Sequence, residues 1–198
     1  MRGIFIVFEG PDGAGTTFHS EVLAERLRKE GKREVILTRE PTDGACGKKV
    51  RKILTEGIYT DPADLQKYFC DDRAEHVEHV INPALHAGKI VITDRYVPST
   101  LIYGEVSNVS KMSLLRWNEG FPKPDLMFIL LPPSEVSFER LQRRTSSDPF
   151  EKEYFQKHVY EGYARYAKEH PSAIVVDTSG SKEGVGAVIW EKVREMVL

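Results

Sequence analysis

The chain of 198 residues reads as an α/β protein, a five-stranded parallel sheet with helices on both faces and a short lid. Three features predict this class: five short continuous apolar runs, long amphipathic stretches between them, and a glycine-rich turn directly after the first run. A strand buried on both faces reads as an unbroken apolar run, and parallel strands need long crossovers, usually helical. No internal repeat, low-complexity tract or Pro/Gly/Ser linker divides the chain, so residues 1–198 are expected to form a single domain.

Ile4-Phe5-Ile6-Val7-Phe8 is β-branched and aromatic and reads as the first strand. A helix carrying Val22, Leu23 and Leu27 follows the glycine turn, and Val35-Ile36-Leu37 gives the second strand. Leu65, Phe69, Val77, Val80 and Ile81 mark one long helix running towards Gly88, before the third strand at Ile90-Val91-Ile92. Leu126 to Leu131 is the fourth strand, and Phe155, Val159, Tyr163 and Tyr166 fall on one helical face. Ala173-Ile174-Val175-Val176 is the fifth strand, and Val185, Val188, Ile189 and Val193 form the buried stripe of the last helix. Thr145-Ser146-Ser147-Asp148-Pro149, polar and placed between two charged helices, marks a lid at about residues 143–152.

Composition narrows the function. Apolar residues at 40% and charged residues at 29% are ordinary for a globular protein. The 28 Lys and Arg against 30 Asp and Glu leave a net charge of −2, so no bulk positive field exists to hold a nucleic-acid duplex. The longest apolar runs are too short to span a bilayer, and no leader pattern follows Arg2, so a cytoplasmic location without membrane contact is expected. Cys46 and Cys70 are too few to staple the fold, and the six histidines show no metal spacing.

The chemistry sits in Gly10-Pro11-Asp12-Gly13-Ala14-Gly15-Thr16-Thr17. A strand, a glycine-rich turn and a helix N-terminus together form a nest of backbone N–H groups suited to phosphate. Gly10, Gly15 and Thr17 match the P-loop pattern, but Thr16 stands where that pattern has lysine. These eight residues alone also fit a βα turn with no ligand. Their place at the carboxyl end of the first strand, where open α/β sheets bind ligands, favours phosphate. Thr17 keeps the hydroxyl that P-loop proteins place on Mg²⁺.

Four further segments lie at strand ends or on the long helix: Thr38-Arg39-Glu40-Pro41, Phe69 to Arg73, Asp94-Arg95-Tyr96 and Phe121 to Leu126. Clustered arginines and an aromatic face suit an anion carrying a flat group, since arginine forks onto an anion and a ring stacks on a plane. Taken singly, each arginine reads more readily as a surface ion pair.

In order and spacing these segments resemble the thymidylate kinase family, P-loop enzymes that phosphorylate dTMP with ATP, from Ile4 to the final helix. The resemblance implies a P-loop kinase fold, ATP and Mg²⁺ as donor and cofactor, and a homodimer. It implies that Gly10, Gly13, Ala14, Gly15, Thr16 and Thr17 hold ATP, with Thr17 and Asp94 towards the metal, Asp94 through its water shell. Arg73 and Arg95 would hold the acceptor phosphate with Arg39 beside it, and Phe69 would stack on thymine. Ser99 and Thr100 would line the base pocket, Tyr103 would crowd the sugar 2′ position, and Asp12 would contact the 3′-hydroxyl. Asp177 to Gly180 would pass near the adenine of ATP, while Glu40 reads equally as a helix cap or as an acid behind the site.

The chain also departs from the family pattern. Asp148-Pro149-Phe150-Glu151 stands where relatives carry an arginine in the lid, and Pro11 to Ala14 contain no arginine. Relatives without an arginine in the phosphate loop draw catalytic charge from the lid, so the resemblance implies Arg143 or Arg144, just after Arg140, as the catalytic cation; the same basic run reads equally as a solvated helix end. With Thr16 for lysine, two other functions stay open: a weak or inactive nucleotide-binding homologue, or a kinase for another nucleoside monophosphate.

Overall fold

Every residue of β1 (Ile4–Glu9) is buried, because the strand lies in the middle of the sheet with helices on both sides. The computed structural model describes residues 2–142 and 149–197. Within them, β1, β2 (Val35–Arg39), β3 (Ile90–Asp94), β4 (Leu126–Leu130) and β5 (Ile174–Val176) form one sheet in the order β2-β3-β1-β4-β5. All four pairings are parallel, with Ile6 opposite both Ile92 and Leu126. The predicted fold class is the observed one.

Side chains alternate across a strand, so β1 serves two cores at once. Ile4, Ile6 and Phe8 pack with Leu23 and Leu27 of α1 (Thr16–Glu30) and with Ile189 and Val193 of α9 (Lys182–Val197). Phe5 and Val7 pack on the other face with Val77, Ile81 and Leu85. A third cluster joins Ile129 to Ile102 of α5 (Val97–Val106) and to Val159 and Tyr163 of α8 (Pro149–Glu169). A Cβ at Gly162 would lie 2.6 Å from Ile102 Cγ2, so glycine there lets α8 settle close onto α5.

Two expectations need correcting. The helix expected to run unbroken towards Gly88 divides into α3 (Pro62–His76), a wider turn at Val77–Ile81, and α4 (Asn82–His86). The Asn82 N–H reaches back five residues to the Val77 carbonyl, the π-type bond that defines such a turn. This extra residue shifts the helical phase: Val77 and Ile81 face the core, and Val80 is left 36% exposed. On α9, Val188 is 50% exposed, and Trp190 and Val197 complete the buried stripe instead.

The first three strands also run past their apolar stretches, ending in Glu9, Arg39 and Asp94. In a parallel sheet all carboxyl ends share one edge. α2 (Ala45–Glu56), α6 (Lys111–Trp117) and α7 (Ser134–Gln142) complete the elements around it.

Candidate active site

The loop after β1 is shaped by glycines at positions no other residue fills. A Cβ on Gly10 would meet the Leu130 carbonyl oxygen at 2.4 Å, and one on Gly13 would meet the Ser137 carbonyl oxygen at 2.8 Å. Gly13 and Gly15 hold φ of 84° and 92°, left-handed values open to glycine at little cost. Gly15 caps α1, so the first N–H groups of that helix face the loop without intrahelical partners. Ala14 differs from the expected nest: its N–H donates to the Pro11 carbonyl at 3.1 Å and closes the loop on itself. Thr16 opens α1 and is buried.

Arg95 follows β3 with φ of 76°, a left-handed conformation rare for a residue with a side chain. Its N–H donates to the Phe8 carbonyl at 2.9 Å, which pins the turn to β1. Nη2 donates to Asp12 Oδ1 at 2.8 Å, and Nη1 donates to the Gly10 carbonyl and to Tyr163 Oη, the latter at 3.0 Å. Asp12 Oδ2 accepts from Gln156 Nε2 at 2.8 Å. The predicted Asp12 and Arg95 are thus brought into contact across the phosphate loop.

Beneath them lies Glu9. It accepts from the Tyr96 and Ser99 N–H groups at 2.7 and 3.2 Å, and from the Ser99 and Tyr163 hydroxyls, both at 2.7 Å. Burial pushes the Glu9 carboxyl above its ordinary value, although Arg95 and these donors pull the other way. Burial also raises the Tyr103 and Tyr163 phenols.

A cavity of 380 Å³ opens beside Arg95. Asp12, Phe69, Arg73, Ser99, Thr100 and Tyr103 line it, as the resemblance implies. Phe69 is half-buried on its wall, and Thr100 Oγ1 is buried with no hydrogen-bond partner in the protein. Arg73, only 1% exposed, is held from behind. Its Nε and Nη2 donate to Glu40 Oε2 at 2.9 and 2.7 Å, and Nη1 donates to Asn118 Oδ1. Glu40 Oε1 lies 3.0 Å from His76 Nδ1, whose ring reaches Thr38 Oγ1 at 2.8 Å through Nε2. Glu40 is thus the acid behind the site rather than a helix cap. Burial is the largest single effect and would lower the Arg73 guanidinium, but the Glu40 charge and hydrogen bonds, with Cys70 and Tyr96, together shift it upward.

Arg39 is placed elsewhere. It lines a separate cavity of 270 Å³ with Thr17, Thr38, Thr42 and Asp94. There the Thr17 hydroxyl donates to Asp94 Oδ2 at 2.5 Å, while Asp94 Oδ1 is buried with no partner in the protein. A buried carboxylate oxygen left open beside a threonine hydroxyl is a hard-oxygen donor set that fits Mg²⁺.

Arg140 packs against the far side of the phosphate loop. It donates to the Thr178 carbonyl at 2.8 Å, and Thr178 in turn donates from Oγ1 to the Ala14 carbonyl at 2.7 Å. The segment after β5 is therefore tied to the loop. Arg143 and Arg144 lie outside the described residues, as does much of the expected lid; Pro149 onward is already helix α8. Sequence reasoning missed Glu9, Gln156 and Tyr163 as parts of the site. For Tyr163 the signal pointed to the core, since it lies on the apolar face of α8.

The chain is similar to known proteins along nearly its whole length. The family described as Thymidylate kinase matches residues 8–189. The chain is 37% identical to a probable thymidylate kinase of Pyrococcus horikoshii, over 100% of this chain and 99% of that protein. It is 35% identical to a thymidylate kinase of Caldicellulosiruptor saccharolyticus, over 100% of this chain and 97% of that one. Against a thymidylate kinase of Bifidobacterium longum the identity is 34%, over 99% of this chain and 100% of the relative.

Proposed function

The chain belongs to the thymidylate kinase family, and from that premise we propose how its residues divide the transfer of a phosphoryl group from ATP to dTMP. The activity is that of a dTMP kinase, a nucleoside monophosphate phosphotransferase: the 5′-phosphate of dTMP attacks the γ-phosphorus of ATP, giving dTDP and ADP. Such a reaction needs positioning and charge neutralisation rather than a protein nucleophile.

The observation that carries the residue assignment is the Arg95–Asp12 contact at the mouth of the 380 Å³ cavity. Arg95, from the β3 end, binds the acceptor phosphate, and Asp12 faces the sugar. Phe69 stacks on the base, Arg73 reads its edge and the phosphate, and Ser99, Thr100 and Tyr103 shape the remaining wall. Arg39 acts from the neighbouring cavity, on the side of Thr17 and Asp94.

Gly10, Gly13, Gly15, Thr16 and Thr17 present the loop and the helix N-terminus to the ATP phosphates, while Ala14 contributes shape. Thr17 and Asp94 would hold Mg²⁺, which when bound neutralises charge on the ATP phosphates. Thr16 is too short and uncharged to do what a P-loop lysine does, so Arg143 and Arg144 supply the missing cation. The same proposal takes the protein to be cytoplasmic and a homodimer. Among the described residues no helix is long and apolar enough to cross a membrane, and α6 exposes Met112 and Leu115.

The test is ADP release with ATP and Mg²⁺ across a panel of nucleoside monophosphates. The expected result is turnover fastest with dTMP. Faster turnover of another monophosphate, or nucleotide binding without any ADP release, would overturn the reading.

A further inference from the structure

Arg95 needs a fixed orientation, because a guanidinium that swings freely loses rotamer entropy every time it grips an anion. Its backbone is already set by the left-handed φ of 76° and by the bond to Phe8. Its side chain has five N–H donors. Three go to the Gly10 carbonyl, Tyr163 Oη and Asp12 Oδ1, which among the described residues leaves Nε–H and one N–H of Nη2 for a ligand.

Of the three holders, Tyr163 is itself the most firmly held. The ring is fully buried, and its hydroxyl donates to Glu9 Oε2 at 2.7 Å. With its one proton committed to Glu9, the phenol oxygen can only accept towards Arg95. Ser99 Oγ lies 2.9 Å from the same oxygen and also donates to Glu9. Arg95 can only donate, and Glu9 at the end of β1 takes the phenol proton, so the Tyr163 hydroxyl is held with its lone pair towards the guanidinium.

We propose that Tyr163 is a positioning residue for the acceptor phosphate: its hydroxyl, oriented by Glu9, aims the Arg95 guanidinium into the 380 Å³ cavity. The inference rests on the assignment of Arg95 to the acceptor. Tyr163 itself touches no substrate and acts only through Arg95.

Tyr163→Phe keeps the buried ring and removes the hydroxyl. The expected result is a rise of about three- to tenfold in KM for dTMP, the equivalent of one net hydrogen bond, with KM for ATP unchanged. The same substitution made on top of Arg95→Ala should add nothing. Glu9→Gln keeps the shape of the anchor while weakening it, and should raise KM for dTMP in the same background-dependent way. It stands in should Tyr163→Phe not fold.

An equal loss with and without Arg95, or a matching rise in KM for ATP, would show a merely structural tyrosine and overturn the proposal. So would an unchanged KM for dTMP in Tyr163→Phe when Arg95→Ala alone raises it. If Arg95→Ala leaves KM for dTMP unchanged, the assignment of Arg95 itself has failed and the inference falls with it.

Discussion

Glu40→Ala should cost more stability than any surface change in this protein. Glu40 Oε2 receives two N–H groups of Arg73 at 2.9 and 2.7 Å, and Oε1 faces His76 Nδ1 at 3.0 Å. The side chains of Arg73 and Glu40 are 1% and 2% exposed, so water screens the pair little. The guanidinium cannot escape by losing its proton, since arginine stays charged in proteins. Removing one partner of such a pair costs about 3–5 kcal/mol, against a typical total of about 5–15 kcal/mol. At about 2–4 °C per kcal/mol for a chain of this length, the melting temperature should drop by about 6–20 °C.

Circular dichroism melts, with urea titration as a check, measure this directly. A companion variant separates stability from function. Glu40→Leu combined with Arg73→Met replaces the pair by apolar side chains, and such swaps are often neutral or stabilising. The double variant should melt above Glu40→Ala, short of the wild type because His76 Nδ1 and Asn118 Oδ1 lose these partners, yet bind dTMP poorly because the cavity has lost its arginine. A loss below about 1 kcal/mol in Glu40→Ala would refute the reasoning, since it would mean the pair is solvated.

Two other outcomes are expected. Arg143→Ala with Arg144→Ala should lower kcat by about 10²–10³-fold, the typical worth of one charge stabiliser, and leave dTMP affinity intact; wild-type turnover in single-turnover assays would exclude both as the compensating cations. His19 is held below its ordinary 6.5 by burial first and then by the Arg140 and Lys182 charges. A depressed histidine costs nothing above 6.5 and costs stability as pH falls through its folded value, so His19→Gln should flatten the acid-side loss of urea resistance below pH 6.5; identical slopes would contradict this.

What sequence could show was local. A βα turn, its glycines and the polar residues just beyond each strand fall within short windows, and parallel topology then carries all those strand ends to one edge. Asp12 and Arg95 meet for that reason, and Phe69 and Arg73 of α3 with Ser99, Thr100 and Tyr103 of α5 close the same cavity. What holds them was not legible. Glu9 and Tyr163 are 154 positions apart, and Glu40 and Arg73 are 33 apart on different elements. Periodicity marks a face as buried without saying which buried atom meets which. For the same reason Tyr163 read only as core and Glu40 stayed ambiguous. The π-type turn at Val77–Ile81 escaped because one inserted residue shifts an amphipathic stripe too little to break its pattern.

The missing lysine bears on two separate tasks. Binding ATP needs a phosphate-shaped backbone and a positive field; transfer needs a cation close to the β- and γ-phosphates. On the proposed reading the first needs no lysine at position 16. Left-handed glycines at 13 and 15 build the cradle, and Arg140 and Lys182 act together on the His19 imidazole, which is depressed partly by their charge. His19 lies beside Gly15, where burial first and the Arg140 and Lys182 charges second hold its imidazole below the ordinary value. Arg140, however, already donates to the Thr178 carbonyl, and leaving that bond would loosen the segment after β5. On the function proposed above the two tasks divide: the glycine cradle serves ATP binding, and the transfer step is assigned to Arg143 and Arg144, which the double alanine variant tests.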